Sequence, residues 1–354
     1  MSEMNQNMLT SFPAEILSEN LGTTQFRMIA QTSNELRNHF TQAKRLIKLK
    51  NKTEGHCKHD LTLGINSLQQ HCDIQSITLV YLHLHDNYDS RTLFETIQSC
   101  KTLSRLRISA CSLGDNVIQI LTTGLPEWKS LEWLDFESDV IMKNSIEVKQ
   151  LFTRLPLCRS LTRLGFCSSA AMMNPGNFIA FVQVLPGCTS LAHLDLGQNR
   201  IGAEGAGRLA AVLGQCASLA HLNLTGNQIG RHGVERLAAV LPLCRSLVHL
   251  NLANNQLGDE ATGRLAAVLG QCASLAVLSL SENYITDDGA ESLAQVIPLC
   301  RALTSLKLEY NLMTYAGQQV LFTAKGRCVA LKEICFTDHD PFDSDDDFGP
   351  NFHV

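Results

Sequence analysis

Five near-copies of one nine-residue segment follow one another every 28 residues. Leu191-Ala-His-Leu-Asp-Leu-Gly-Gln-Asn199 is the first, and Leu219 to Asn227, Leu247 to Asn255, Leu275 to Asn283 and Leu303 to Asn311 repeat it in step. Leu331-Lys-Glu-Ile-Cys-Phe336 closes the series, and weaker copies start at Ile74, Leu103, Leu131 and Leu161, at spacings of 28 to 30 residues. Ten copies therefore occupy residues 74–336 of a 354-residue chain that length alone would divide into two ordinary domains. No copy can bury its own apolar face, so the copies must stack on one another as a solenoid.

Each copy carries two periods. Leucines at its fourth and sixth positions, such as Leu222 and Leu224, alternate with outward residues and predict a short strand. The segment that follows, Gly205 to Leu213 in one copy, places alanine, leucine and arginine at helical spacing. The expected class is α/β. Asn199, Asn227, Asn255, Asn283 and Asn311 form a ladder whose amides can satisfy turn backbone that would otherwise be orphaned. Gly202, Gly230 and Gly258 suit the tight turns after it.

The pattern L-x-x-L-x-L-x-x-N resembles the leucine-rich repeat, and its length is similar to that of the ribonuclease-inhibitor-like subfamily. The alternation of Gly214-Gln-Cys with Pro242-Leu-Cys, repeated at Gly270 and Pro298, makes a 56-residue double unit of the kind that subfamily has. The resemblance implies a curved horseshoe with parallel strands on its concave face and helices on its convex face.

Periodicity also explains the thirteen cysteines. Cys100, Cys158, Cys188, Cys216, Cys244, Cys272, Cys300 and Cys328 stand three residues before a copy's first leucine. Helices of adjacent coils pack about 8–10 Å apart, whereas a disulfide needs Cα atoms within about 7 Å, so these thiols are expected as small buried hydrophobes. Cys111 takes the ladder place that asparagine holds later. Buried free thiols fit a reducing compartment, cytoplasmic or nuclear. No segment has the ~18 uninterrupted apolar residues of a membrane helix, and Met1 to Asn7 lacks the basic start and apolar run of a secretory signal. Six aspartates between Asp338 and Asp347 outweigh the whole net charge of −5. An acidic tail behind a neutral body argues against a nucleic-acid partner.

Residues 1–45 differ in composition, with Phe12, Phe26 and Phe40, whereas residues 191–311 contain neither phenylalanine nor tryptophan. Phe12-Pro13-Ala14-Glu15-Ile16-Leu17 opens like a helix, with proline near its first turn and an early glutamate. Gly22-Thr23-Thr24 reads as a turn, and Phe26 to Leu36 as a second helix. The stretch resembles an F-box: Phe12, Pro13, Glu15, Ile16 and Leu17 match that motif's opening, and Phe26, Ile29, Thr32, Ser33 and Leu36 its later positions. The resemblance implies a Skp1-type adaptor as partner. The competing reading is a polar-faced helix pair that caps the first coil. Residues 46–73 form a basic capping or linker segment, in which Leu46-Ile-Lys-Leu-Lys50 has the look of a strand 28 residues ahead of Ile74.

Catalytic signatures such as G-x-S-x-G, H-E-x-x-H or a Walker A loop do not occur. His56-Cys57-Lys58-His59 with His71-Cys72 lacks zinc-ligand spacing, so neither metal nor cofactor is expected. His193, His221 and His249 share the third repeat position and project outward on strands about 4.8 Å apart. They fit a metal site, a pH-sensitive patch, or polar residues copied by duplication, and they count among the candidate partner-binding residues of the concave face. Departures from the repeat say more about binding. Trp133, Asp135, Glu137 and Arg163, beside Arg105 and Arg107, and farther on Tyr284, Lys307 and Tyr310, are the candidate partner-binding residues of the concave face. Tryptophan, tyrosine and arginine dominate protein interfaces. Arg208, Arg236 and Arg264 make a solvated helix ladder.

The tail, residues 337–354, mixes aspartates with Phe342, Phe348 and Phe352 and is expected to be disordered by itself. It is similar to the acidic C-terminal export signals of effectors from intracellular bacteria, which would place the chain in a host cytosol. The functional expectation is a protein without catalytic activity: an F-box-type substrate receptor that links a target on the concave face to a Skp1–cullin ubiquitin ligase. Its alternative is a plain binding or inhibitor scaffold with no ligase link.

Overall fold

The computed structural model describes residues 46–50, 74–84, 88–137, 141–142 and 145–336, in two compact units, Met1–Asn199 and Arg200–Val354. The F-box-like segment, the His56–Cys72 cluster and the acidic tail lie outside the described residues.

The first unit contains β1 (Leu46–Lys50), β2 (Ser76–Val80), β3 (His83–Leu84), β4 (Arg105–Ser109), β5 (Ser112–Leu113), β6 (Trp133–Glu137), β7 (Ile141–Met142), β8 (Arg163–Gly165) and β9 (His193–Asp195). Between them run the helices α1 (Tyr88–Ser99), α2 (Asp115–Gly124), α3 (Ser145–Arg154), α4 (Ala170–Met173) and α5 (Pro175–Val184). β1, β2, β4, β6, β8 and β9 pair in that order, all parallel, and β3, β5 and β7 form a narrow second ladder. β1 is the strand expected at 46–50, and its Leu46 pairs with Ser76.

The second unit repeats a simpler coil. β10 (His221–Asn223), β11 (His249–Asn251), β12 (Val277–Ser279), β13 (Ser305–Lys307) and β14 (Glu333–Cys335) alternate with helices. These are α6 (Gly202–Leu213), α7 (Gly230–Val240), α8 (Gly258–Leu269), α9 (Asp287–Val296) and α10 (Tyr315–Lys325). Consecutive strands pair parallel without offset, His221 with His249 and Leu250 with Leu278. α6 buries Gly205, Ala206, Leu209, Ala210 and Leu213, a stripe at helical spacing that faces the strand leucines. Leu222, Leu224, Leu250, Leu252, Leu278 and Leu280 are all at most 2% exposed. Each such leucine contributes about 1.5–3 kcal/mol.

The 56-residue alternation has a steric cause. Helices α6 and α8 run on to Leu213 and Leu269 and end at Gly214 and Gly270. Their neighbours α7 and α9 stop at Val240 and Val296, where Pro242 and Pro298 enforce a 3-10 turn. A Cβ on Gly270 would stand 3.3 Å from the Leu299 Cβ, so the slimmer coil end leaves room for the bulkier one.

The asparagine ladder is buried as expected, with Asn199, Asn227, Asn255 and Asn283 at 0% exposure. Within the second unit, Asn227, Asn255 and Asn283 each donate their backbone N–H to the Oδ1 of the next coil's asparagine, at 3.0, 2.8 and 2.9 Å. Cys111 does the same work in the first unit: its sulfur accepts the Leu82 N–H at 3.4 Å and donates to the Ser109 carbonyl at 3.2 Å. Gly202, Gly230 and Gly258 adopt φ of 59–66° as the turns demand.

No disulfide joins any of the eleven described cysteines. Seven of the eight ladder thiols donate to the carbonyl four residues earlier, as Cys244 does to Val240 at 3.4 Å and Cys272 to Val268 at 3.4 Å. Burial raises Cys158, Cys216, Cys272 and Cys300 to about 11. The expectation of buried thiols needs correction at Cys188, Cys216 and Cys244, which are half-buried. Among the described residues, no helix is long and apolar enough to cross a membrane, and no three His, Cys, Asp or Glu side chains converge as a metal site would require.

Candidate functional site

Alternation on β4, β6 and β8 turns Leu106, Leu134 and Leu164 inward and the odd-numbered residues to the open side of the sheet. Strand pairing then sets Arg105 and Arg163 on the two sides of Trp133. Their Cζ atoms lie 5.3 and 4.2 Å from the centre of the indole, so the ring sits between two cations. Such stacking holds each guanidinium by about 0.5–1 kcal/mol while leaving its N–H donors outward. Arg105 and Arg163 are exposed and have no carboxylate partner within ion-pair distance among the described residues.

The next row is spent internally. Arg107 is ion-paired with Glu137 across two strands, its Nε 2.9 Å from Oε2. Asp135 accepts the indole N–H of Trp133. The sequence places Asp135 with the partner-binding residues, but it is only 4% exposed. It lies over Gly165, where an added Cβ would come within 2.3 Å of Oδ1. Asp135 is therefore a support for Trp133 rather than a contact, and the absent side chain at 165 makes that possible. Gly165→Ala should force Asp135 away, cost about 1–3 kcal/mol in urea unfolding, and shift the Trp133 fluorescence as its hydrogen bond is lost.

Burial raises Asp135 from 3.8 to about 6, with the neighbouring Glu137 charge adding to it and the Trp133 N–H, Arg163 and Arg107 opposing. The folded state thus holds this proton more tightly than the unfolded chain does. Stability from the neutral form is complete below about pH 4 and is lost as pH rises toward 6. Asp135→Asn keeps an acceptor for the indole and removes the charge. It should match the parent below pH 4, gain between 4 and 6, and unfold roughly 2–3 kcal/mol later at pH 7.5. A stability curve parallel to the parent's at every pH would contradict this.

Beneath the face lies an aromatic layer. Phe136 and Phe166 stack at 5.2 Å, and Phe152 and Phe181 meet Phe166 edge-on at 5.7 and 5.5 Å. Phe136 and Phe166 take the sixth repeat position, which leucine fills in the five copies that start at Leu191 through Leu303. The two 30-residue coils that start at Leu131 and Leu161 use the larger ring there.

The remaining candidates are spread out. His221 and His249 stack at 4.1 Å and 19° in the second unit, and His193 stands on β9 in the first. Lys307 is exposed on the open side of β13. Tyr284 and Tyr310, candidates for the concave face, are not on strands. They stand in turns at φ of 59° and 55°, beside the ladder residues Asn283 and Asn311, and are 60% and 65% exposed. The turn that buries each ladder asparagine throws its neighbour to the edge. Phe12, Pro13, Glu15, Ile16, Leu17, Phe26, Ile29 and Leu36 lie outside the described residues. Sequence reasoning missed Gly165, whose only signal is a glycine at an outward strand position. It also missed the carboxylates that tie coil to coil: Asp259 accepts from Thr286 N, Thr286 Oγ1 and Gly289 N at 2.8, 2.8 and 3.1 Å.

The family described as Leucine Rich repeat matches residues 187–210, 215–238, 243–261 and 271–294, stretches that do not include Trp133. No curated protein matches the chain. The crystal structure of the Rad7 and Elc1 complex in yeast is similar over 95% of this chain and 89% of that one, at 15% identity and a TM-score of 0.47.

Proposed function

We propose that this α/β leucine-rich-repeat solenoid is a non-catalytic protein receptor that takes its partner on the open sheet face around Trp133. One observation carries the reading: a half-buried indole held outward between two guanidiniums that have no carboxylate within ion-pair distance among the described residues. The chain's other tryptophan shows the contrast. Trp128 is 2% exposed and donates to the Gln98 carbonyl at 3.3 Å, as a structural tryptophan does. Tryptophan and arginine in this arrangement are the residue types of interface hot spots.

The N-terminal resemblance extends the proposal. Residues 12–36 would hold a Skp1-type adaptor through Phe12, Pro13, Ile16 and Leu17, and the receptor would raise the concentration of its bound target at a ubiquitin ligase. The full-length chain tests both parts. It should retain a Skp1-type protein in a pull-down, and Pro13→Ala with Leu17→Asp should release it. Failure of the native chain to retain the adaptor removes the ligase link and leaves the receptor. Partners recovered by cross-linking in cells should be lost with Trp133→Ala, by about thirty-fold in affinity for a hot spot of 2 kcal/mol. An unchanged partner set overturns the receptor face.

A further inference from the structure

We infer that the row Arg105–Trp133–Arg163 accepts an acidic protein segment in the polyproline II conformation, with two carboxylates three residues apart. The inference rests on the receptor reading above and adds the chemistry of the ligand. Arg105 stands on β4 and Arg163 on β8, with β6 between them, so their backbones are two strand spacings apart, about 9.6 Å. A polyproline II segment rises ~3.1 Å per residue with three residues per turn, which puts residues i and i+3 on one side about 9.3 Å apart. A β-strand instead offers same-side residues at about 6.7 or 13 Å, and neither matches two strand spacings.

The neighbouring rows restrict the ligand's width. The next row on the open side holds Arg107, Asp135 and Asp195, and Glu137 stands one row beyond, paired with Arg107. A helix about 10–12 Å across would lie over those carboxylates, whereas a polyproline II strand covers the cationic row alone. The Asp195 carboxylate in that next row disfavours a nucleic-acid strand, whose phosphates recur without gap. Arginine forks suit carboxylates in bidentate fashion, and each guanidinium is already oriented by the indole, so little side-chain entropy remains to be lost. Residues between the two carboxylates would lie over the exposed edge of the ring, and proline there fixes φ near −65° and lowers the ordering cost.

The test uses the full-length chain and fluorescein-labelled peptides read by anisotropy at low ionic strength. The probe carries Gly-Ser-Glu-Pro-Pro-Glu-Ser-Gly; one control replaces both glutamates with glutamine, and a second places them side by side before the prolines. The probe should bind at least about ten-fold more tightly than either control, and Arg163→Gln and Trp133→Ala should each weaken it about ten-fold. Arg163→Lys should restore only part of the affinity, because an ammonium cannot form the fork. Equal binding of the two glutamate peptides, or binding indifferent to Arg163→Gln, overturns the proposal. So does stronger competition by a thymidine oligonucleotide than by the probe. If the probe fails while Trp133→Ala still removes cross-linked partners, the ligand chemistry is wrong and the receptor face stands; if neither responds, both fall.

Discussion

Asn255→Ala should lower the unfolding free energy by about 3–5 kcal/mol, the largest effect expected of any polar substitution in the second unit. The Asn255 Oδ1 accepts the backbone N–H groups of Asn227 and Ile229 at 3.0 and 3.2 Å. Its Nδ2 donates to the carbonyls of Leu224, Leu252 and Ala253 at 2.8, 3.0 and 2.9 Å. Alanine removes all five bonds from a site with 0% exposure, where water cannot replace them. Each orphaned buried group costs about 1–3 kcal/mol, and the carbonyls, which keep other N–H donors, fall at the low end. Urea unfolding should show the loss, and hydrogen exchange should place it, with protection of the Asn227 and Ile229 amides falling first. Asn254, beside it, has φ of 53° and an exposed side chain. Asn254→Gly should therefore stay within about 1 kcal/mol of the parent, because glycine accepts that conformation without strain. A small effect at Asn255, or an equal effect at Asn254, would mean that the ladder does not hold the coils.

Phe166→Ala should cost the first unit about 3–5 kcal/mol. The ring has 0% exposure and contacts Phe136, Phe152 and Phe181. Truncation leaves a cavity among three rings that cannot all close on it, since Phe136 is fixed by β6 and Phe181 by α5. Phe166→Leu, which supplies most of the volume and is the residue used in the shorter coils, should cost about half as much. The substitution also has a readout at the surface. Phe166 directly follows Gly165, on which Asp135 rests, so a shift there should loosen Trp133 and weaken partner binding even where the protein remains folded. Loss of stability without any change in Trp133 fluorescence would show that the core and the open face are not linked.

The repeat phase, the inward leucines, the asparagine ladder and the glycine turns were legible because each obeys a local rule that recurs at a fixed interval. Cys111 as a substitute for asparagine was legible for the same reason. Exposure within the outward row was not. Asp135 and Trp133 have the same alternation phase, yet one supports and the other presents. The difference comes from Gly165, thirty residues away in sequence and one strand away in space. The turn positions of Tyr284 and Tyr310 were not legible, because left-handed turn geometry follows from the bonds of the adjacent asparagine and not from the spacing of apolar residues.

By itself, then, the sequence determined what is periodic: which residues face inward, how one coil follows another, and that the thiols stand too far apart to bridge. Periodicity is local information, because each copy meets the same neighbours. Only the tertiary structure decided which of the non-periodic outward residues work together. Arg105, Trp133 and Arg163 come from three different copies, and their mutual distances depend on strand register and on the space a missing Cβ leaves. Those quantities belong to stacked coils and exist in no single copy.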